Sequence, residues 1–480
     1  MNIFASSIKL NSPEMENTYM DLIQQTFNFP QEGFRVEDNE LYFHDINLMS
    51  IIKQYKTPLK LTYLPQISSQ IQKAKKLFNV AMAKADYKGK YRYCYCTKSS
   101  HFSFILNEVL SNEDVHLETS SAFDIPIIKD LYKEGKITKE NYIICNGFKR
   151  PVYKQYVCEL INNGFTNVIP ILDNKEELEY YNRSAKKKFN IGIRIAAEEE
   201  PTFPFYTSRL GIRYRDIVDF YKEKIQKNPK VQLKMLHFFI NTGIKDAIYY
   251  WTELAKCLKV YHQLKKICPS LDSLNIGGGL PIRNSLGFEF DYEYLIEEII
   301  LQIKNFCDQN DIPEPNIFTE FGSFTVGESG AAIYSVLDKK WQNDRELWYM
   351  IDSSFITTLP DTWGINQRFI MLGINHWDHE YQKVNLGGLT CDSLDYYNSE
   401  LHTNEVYLPK FNNKDDEPLY VGFFHTGAYQ EALGGYGGTQ HCLIPAPKHV
   451  IIDRNDDGEI TTKLFAKEQS YKSMLKVLGY

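Results

Sequence analysis

No apolar run in the sequence reaches the roughly 18–20 residues that a bilayer-spanning helix needs. Met1 to Lys9 lacks the charged-then-apolar order of a secretion signal. A cytosolic protein with no membrane partner is expected. A block of lysine and arginine is missing as well: the net charge is -7, which leaves no electrostatic footprint for nucleic acid or an anionic membrane. The nine cysteines are odd in number and scattered, and Cys94 and Cys96 are too close along a strand to bridge each other. They read as reduced thiols, with no disulfide frame and no metal ligands among them. Low-complexity stretches are absent too, and with 43% hydrophobic and 24% charged residues the chain is a folded protein whose 480 residues exceed one ordinary core. Two domains and small-molecule chemistry are what these absences leave.

What is present is a regular alternation. β-rich apolar segments recur at residues 91–96, 115–119, 142–146, 167–173, 191–196, 233–240, 271–277 and 316–322, separated by helix-patterned stretches. About eight such units in ~250 residues predict an α/β fold of the TIM-type (β/α)8 barrel, an open doubly wound sheet being the alternative. Beyond residue 325 strand-like pieces are separated by Gly, Pro, Asn and Asp turns, which predicts a C-terminal β-rich barrel or sandwich. The expected domains are residues 1–45, a lead-in packed on the β domain, 46–325, the barrel, and 326–480, the β domain.

In a barrel the active site lies at the C-terminal strand ends. The first segment, Tyr91-Arg92-Tyr93-Cys94-Tyr95-Cys96, runs into Thr97-Lys98-Ser99-Ser100, and period two places Lys98 on the side of Cys94 and Cys96. A lone lysine there is most often a solvated loop residue; the alternative is a desolvated amine of lowered pKa that reacts with an aldehyde cofactor. The other ends carry Glu118-Thr119-Ser120-Ser121, Asn146-Gly147, Arg194, His237 to Gly243, Gly277-Gly278-Gly279 and Glu320-Phe321-Gly322-Ser323. Three glycines after the seventh strand let backbone N–H groups approach an anion, although such runs are commonly just tight turns. Lys98 with an anion cradle suggests pyridoxal phosphate (PLP), with Glu320 at the pyridinium nitrogen or else an ion-paired barrel carboxylate.

Five pieces in this order, Ile144-Cys145-Asn146-Gly147-Phe148-Lys149, the glycines from Gly277, Leu359 to Ile365, Thr390-Cys391-Asp392-Ser393 and Gly422 to Leu433, carry a resemblance. From about residue 55 to 470 the sequence resembles the fold-type III PLP-dependent basic amino-acid decarboxylases, most closely the biosynthetic arginine decarboxylases. The resemblance implies PLP as cofactor, L-arginine turned into agmatine and carbon dioxide, and a supply of agmatine for polyamine and spermidine synthesis. Ornithine, lysine or another basic amino acid remains an alternative substrate, and a non-catalytic regulatory homologue an alternative of another class. Such a homologue is expected to have lost Lys98 or the Cys391-Asp392 pair, and both are here.

Residue by residue, the resemblance makes Lys98 the lysine that holds the cofactor's aldehyde. It puts Glu320 at the ring nitrogen, Gly277, Gly278, Gly279 and Tyr429 at the phosphate, and Glu118, Arg194, Phe239 and Thr242 elsewhere around the cofactor. Cys391 becomes the thiol that returns a proton to carbon, and Asp392 the carboxylate for the distal cation. Asp361 is its expected companion, because a guanidinium suits paired carboxylates, with a helix-capping role the alternative. In the family Cys391 and Asp392 come from a partner subunit, which implies a homodimer with shared sites and leaves higher oligomers open. Magnesium enters only as something the resemblance allows, without assigned residues. The sequence departs from the family at Phe239, where a stacking histidine is usual, and at Ser323-Phe324, where an arginine is usual. His237 reads as a satisfied core histidine, a contribution lower in the pocket being the alternative, and Arg209 as the candidate replacement for the missing cation.

Overall fold

The computed structural model describes residues 17–201, 203–412 and 417–480; residues 1–16 of the expected lead-in lie outside these. Among the described residues no helix is long and apolar enough to cross a membrane. Eight parallel strands, Tyr91–Cys96, Val115–Thr119, Ile143–Cys145, Val168–Leu172, Phe189–Arg194, Val231–His237, Ser273–Asn275 and Asn316–Phe321, close into a barrel in sequence order. The eighth pairs with the first, Ile317 opposite Tyr91 and Phe321 opposite Tyr95.

Alternation along each strand divides the barrel into a shell and a plug. Tyr91, Tyr93 and Tyr95 face the surrounding helices. Cys94 turns inward to join Ile144, Ile169, Ile171, Met235 and Phe318 in a sealed inner cluster. The interior is therefore packed, and a ligand can only sit above it, at the strand ends. The helices bury one stripe each: Tyr292–Gln309, capped by the Asp291 side chain on Tyr294 N–H, buries Leu295, Ile296, Ile299, Ile300, Ile303 and Cys307.

A ten-stranded sheet makes up the β-rich domain. Its central strand, Gly330–Trp341, leaves the barrel almost directly after the eighth strand and pairs with Leu59–Tyr63, Leu347–Ile351 and Tyr420–Phe424. Both faces are covered. Ala331 and Ile333 pack against Tyr19, Phe34, Phe43 and Leu48 from the N-terminal segment, while Ala332, Tyr334 and Val336 pack against Leu347, Tyr349 and Phe423.

Leu59–Tyr63 corrects the boundary expected at residue 46. Its Leu59, Leu61 and Tyr63 lie in the same core as Ile46 to Ile52, and it sits between Gly330–Trp341 and Lys448–Arg454, so residues 46–63 belong with the β domain. The sequence marks this segment as a strand through its alternation, but alternation says nothing about which sheet receives it. The sixth barrel strand also ends at His237 rather than at residue 240, which puts Phe239 in the following loop.

The polar face of Leu59–Tyr63 holds a buried seam. Lys60 Nζ lies 3.1 Å from Glu431 Oε1, and Thr62 Oγ1 2.8 Å from His449 Nε2. Burial holds the His449 imidazole down at about 4 against the pull of Glu431. His44, at about 4, and His425, at about 3, are lowered by burial in the same way. The unfolded chain takes up these protons near pH 6.5 and the folded chain only near 4, so stability is lost as pH falls through that window. Thermal unfolding measured from pH 7 to 4 is expected to show this loss, up to about 3 kcal/mol of it from His449. His449→Gln should flatten the profile, and an unchanged profile would exclude His449 as a cause.

Candidate active site

A cavity of about 410 Å³, within the range of small-ligand clefts, opens at the C-terminal ends of the barrel strands. Seven of the residues to which the resemblance gives a place at the cofactor line it: Lys98, Arg194, Phe239, Gly278, Gly279, Glu320 and Tyr429. One wall is bare backbone. Gly279 has φ +86, its carbonyl accepts from Ile244 N–H at 3.1 Å, and a Cβ there would strike Gly243 Cα; a Cβ on Gly278 would run into the Glu320 carbonyl. Only glycine allows the two loops to meet this closely, and the same bareness lets a ligand touch the main chain.

Lys98 sits in a one-turn helix, Thr97–Ser99, just past the first strand. Its Nζ is 3.6 Å from Oε2 of the buried Glu118, whose other oxygen accepts from Ser120 Oγ at 2.7 Å. The expectation of a lowered amine pKa is therefore corrected: the Glu118 carboxylate outweighs the desolvation of Lys98 and raises it. Tyr429 closes the mouth from the β domain. Its N–H donates to Ser99 O at 2.8 Å, and its φ of +68 is one that few non-glycine residues adopt.

Glu320 is fixed from two sides. Asn146 Nδ2 lies 2.9 Å from each carboxylate oxygen and Asn275 Nδ2 2.6 Å from Oε1. His237 Nε2 is 3.5 Å from Oε2, and neither ring nitrogen has a hydrogen-bond partner, which corrects its reading as a satisfied core histidine. Burial, then the Arg194 charge, keeps this imidazole well below its usual pKa and hence neutral. Asn146 is anchored in turn by the buried Lys149, whose Nζ donates to Gly147 O at 2.9 Å and Ile171 O at 2.5 Å and pairs with Glu177 at 3.1 Å. The Asn146 to Lys149 motif is visible in the sequence; that Asn146 and Asn275 meet Glu320 is not, since nothing local links residues 174 and 45 positions apart.

Other expectations change. Gly277 does not line the cavity, and its N–H goes to Asn275 Oδ1 at 2.9 Å. Thr242 stays off the wall, and Asn241, held by Glu199, lines it instead. Arg209 is exposed and absent from the lining, so it replaces no phosphate cation; Lys98 and Arg194 are the cavity's lysine and arginine. Arg194 also lies 5.7 Å from the Phe239 ring centroid. Asp361 is buried against Gln430, accepting from Nε2 at 2.8 Å, so its side chain neither caps its helix nor lines the cavity.

Cys391 is exposed and Asp392 half-buried, and neither lines the cavity of its own chain. Their loop is tied down by Asp395, which accepts from Thr390 N–H and Oγ1 and from Phe355 N–H. The Cys442 thiol beside it holds Cys391 above the usual thiol pKa. Asp392 accepts from Leu394 N–H and lies 3.8 Å from His441.

Asn146 Oδ1, Arg194 Nε and both His237 nitrogens are buried at this cavity without partners. Native proteins rarely leave such groups orphaned, so these residues fit a polar ligand that brings acceptors to Arg194 and a donor to Asn146. The Lys98 amine beside those groups suits a ligand that carries an aldehyde. The family follows from comparison: residues 64–327 match the family described as pyridoxal-dependent decarboxylase, pyridoxal binding domain, and the chain belongs to it. Pyridoxal phosphate is its cofactor and decarboxylation its reaction.

Across 91% of its length the chain is 22% identical to a biosynthetic arginine decarboxylase of Prochlorococcus marinus (strain AS9601), 85% of which is covered. The solved biosynthetic arginine decarboxylase SpeA from Campylobacter jejuni superposes with a TM-score of 0.79 at 21% identity, over 96% of this chain and 90% of that one. A diaminopimelate decarboxylase from M. jannaschi superposes at 0.76 and 17% identity, over 93% and 97%. These structures share the fold.

The Lys149 anchor can be measured. Lys149→Met leaves the buried Glu177 without its cation, which should lower unfolding stability by about 3–5 kcal/mol, and adding Glu177→Met should recover part of the loss. Denaturant unfolding reads both, and a single variant as stable as the parent would show that this pair does not hold the Asn146 loop.

Proposed function

We propose that this decarboxylase acts on L-arginine in the cytosol, releasing carbon dioxide and agmatine for polyamine synthesis, as a homodimer with shared sites. The observation that carries the substrate is the match, over nearly the whole chain, to proteins named biosynthetic arginine decarboxylase. Thiols that are all free support the compartment.

Pyridoxal phosphate supplies an aldehyde for an amine and an electron sink for the carbon that loses carbon dioxide. Lys98 would hold the aldehyde, Glu320 the ring nitrogen, Phe239 the ring face, and Gly278, Gly279 and Tyr429 the phosphate. Lys98 has to release its proton before it reacts as a nucleophile, and Glu118, 3.6 Å away, is the acceptor at hand. Asn146 and Asn275 keep the Glu320 oxygens oriented throughout. The apolar part of the cavity wall, with Phe239 and Leu210, limits water at the reacting carbon, where a stray proton source would be uncontrolled.

The Cys391 thiol, delivered from a partner subunit, gives the proton that replaces the carboxyl group. Its absence from the lining of its own chain's cavity supports that arrangement. Asp392, on the same loop, receives the guanidinium, which pairs with carboxylates in bidentate fashion. Asp361 acts at one remove, through Gln430, on the turn that carries Tyr429. A diaminopimelate substrate would bring a second carboxylate to this acidic loop and is disfavoured by like charge.

Incubation of the PLP-loaded protein with L-arginine, L-ornithine and L-lysine separately should give agmatine alone, and Lys98→Ala should abolish it. Putrescine or cadaverine would overturn the substrate assignment, and no amine at all would overturn the catalytic one. Mixing inactive Lys98→Ala and Cys391→Ala chains should restore about a quarter of parental activity through hybrid dimers with one intact site; no recovery would overturn the sharing of sites.

A further inference from the structure

Away from the cavity, two loops bring a different set of donors together. Cys391 Sγ lies 3.4 Å from Cys442 Sγ, and Cys442 Sγ 3.8 Å from His441 Nε2. The three ligating atoms all fall within 4.8 Å of one another. Asp392 Oδ2 stands 3.8 Å from the same His441 nitrogen. Both loops are held in place: Thr390 is tied to Asp395, and Gln440 Nε2 donates to Gly434 O. Cys442 and Leu443 both have positive φ, 52° and 54°, an arrangement that presents the Cys442 thiol toward Cys391.

We propose that Cys391, Cys442 and His441 form a binding site for a soft or borderline divalent cation of the zinc class. At 3.4 Å the sulfurs are far beyond the roughly 2.05 Å of a disulfide. They are close to the separation of about 3.8 Å that bonds of ~2.3 Å impose on two thiolates of a tetrahedral zinc. Two sulfurs and one imidazole select zinc-like ions over magnesium or calcium, which take oxygen ligands. Binding displaces the two thiol protons to solvent, forms two metal–sulfur bonds and one metal–nitrogen bond, and involves no oxidation. Three protein ligands leave the fourth position to water or to the Asp392 carboxylate, an open and hence exchangeable arrangement.

The inference deepens the reading of Cys391 as the proton donor, and its consequence for activity rests on that reading. A thiolate held by zinc carries no proton to deliver, so zinc is a reversible inhibitor that acts through the donor thiol and not through the residues that hold the cofactor.

The test uses the reduced, PLP-loaded protein titrated with cobalt(II) and with zinc. One equivalent of cobalt per chain, with a thiolate-to-cobalt charge-transfer band that zinc abolishes, is the expected result. Cys442→Ser and His441→Ala should each weaken binding at least about tenfold; both residues are exposed, and thermal unfolding checks that each variant folds. Cobalt bound without a thiolate band, or with equal affinity by both variants, overturns the site. In the same protein zinc should suppress amine formation, and Cys442→Ser, measured against its own zinc-free rate, should escape the suppression. Stoichiometric thiolate binding with activity untouched would uphold the metal site and overturn Cys391 as the proton donor.

Discussion

Closure of the barrel, the eighth strand against the first, is the constraint on which the site depends. That pairing sets Glu320 opposite Cys94 and lets Cys96 Sγ donate to the Glu320 carbonyl at 3.2 Å, so Lys98 and the buried Glu320 carboxylate hang from one seam. Because the strands are parallel and the interior below is filled by Cys94, Met235 and Phe318, every inward side chain near the C-terminal ends must share the single space above the plug. A one-residue slip in this register would turn Glu320 into the helix layer and Phe321 into the cavity.

The second constraint is the junction with the β domain. Tyr429 reaches the mouth because the chain from His425 to Gln430 crosses from the sheet to the barrel, tied at Gly330, Gly327 and Ser99. The Lys60–Glu431 pair and the Asp361–Gln430 contact hold the following turn from behind. Residues far from the cavity in sequence thus decide where one of its walls stands, and the β domain is a structural part of the site.

Within the cavity, stability and function pull apart. Orphaned nitrogens on His237 and Arg194 and a buried Glu118 are costly for a protein that has only itself as a partner. The Lys98–Glu118 pair relieves part of that cost, and it does so by holding the amine in its unreactive, protonated form. A polar ligand that brought acceptors to Arg194 and His237 would relieve the rest, so ligand binding is favoured where the bare chain is least satisfied.

The barrel class, the strand order and Lys98, Glu320 and the glycine wall were legible in the sequence, because they follow from local period, from punctuation by glycine and from the rule that barrel sites lie at C-terminal strand ends. Asp361's partner, the locks on Glu320, the neutral His237 and the raised Lys98 were not, since each depends on a neighbour brought in by folding and not by spacing. The strand at Leu59–Tyr63 shows the difference plainly: its alternation announces a strand, and only the packing of its two faces assigns it to the far sheet. Cys391 and Cys442, 51 residues apart, read as unrelated thiols in sequence and stand 3.4 Å apart in space. Sequence by itself determined the elements and the chemistry available; tertiary structure alone decided which groups meet, because distance and burial, which set pairing and charge state, are properties of the folded chain.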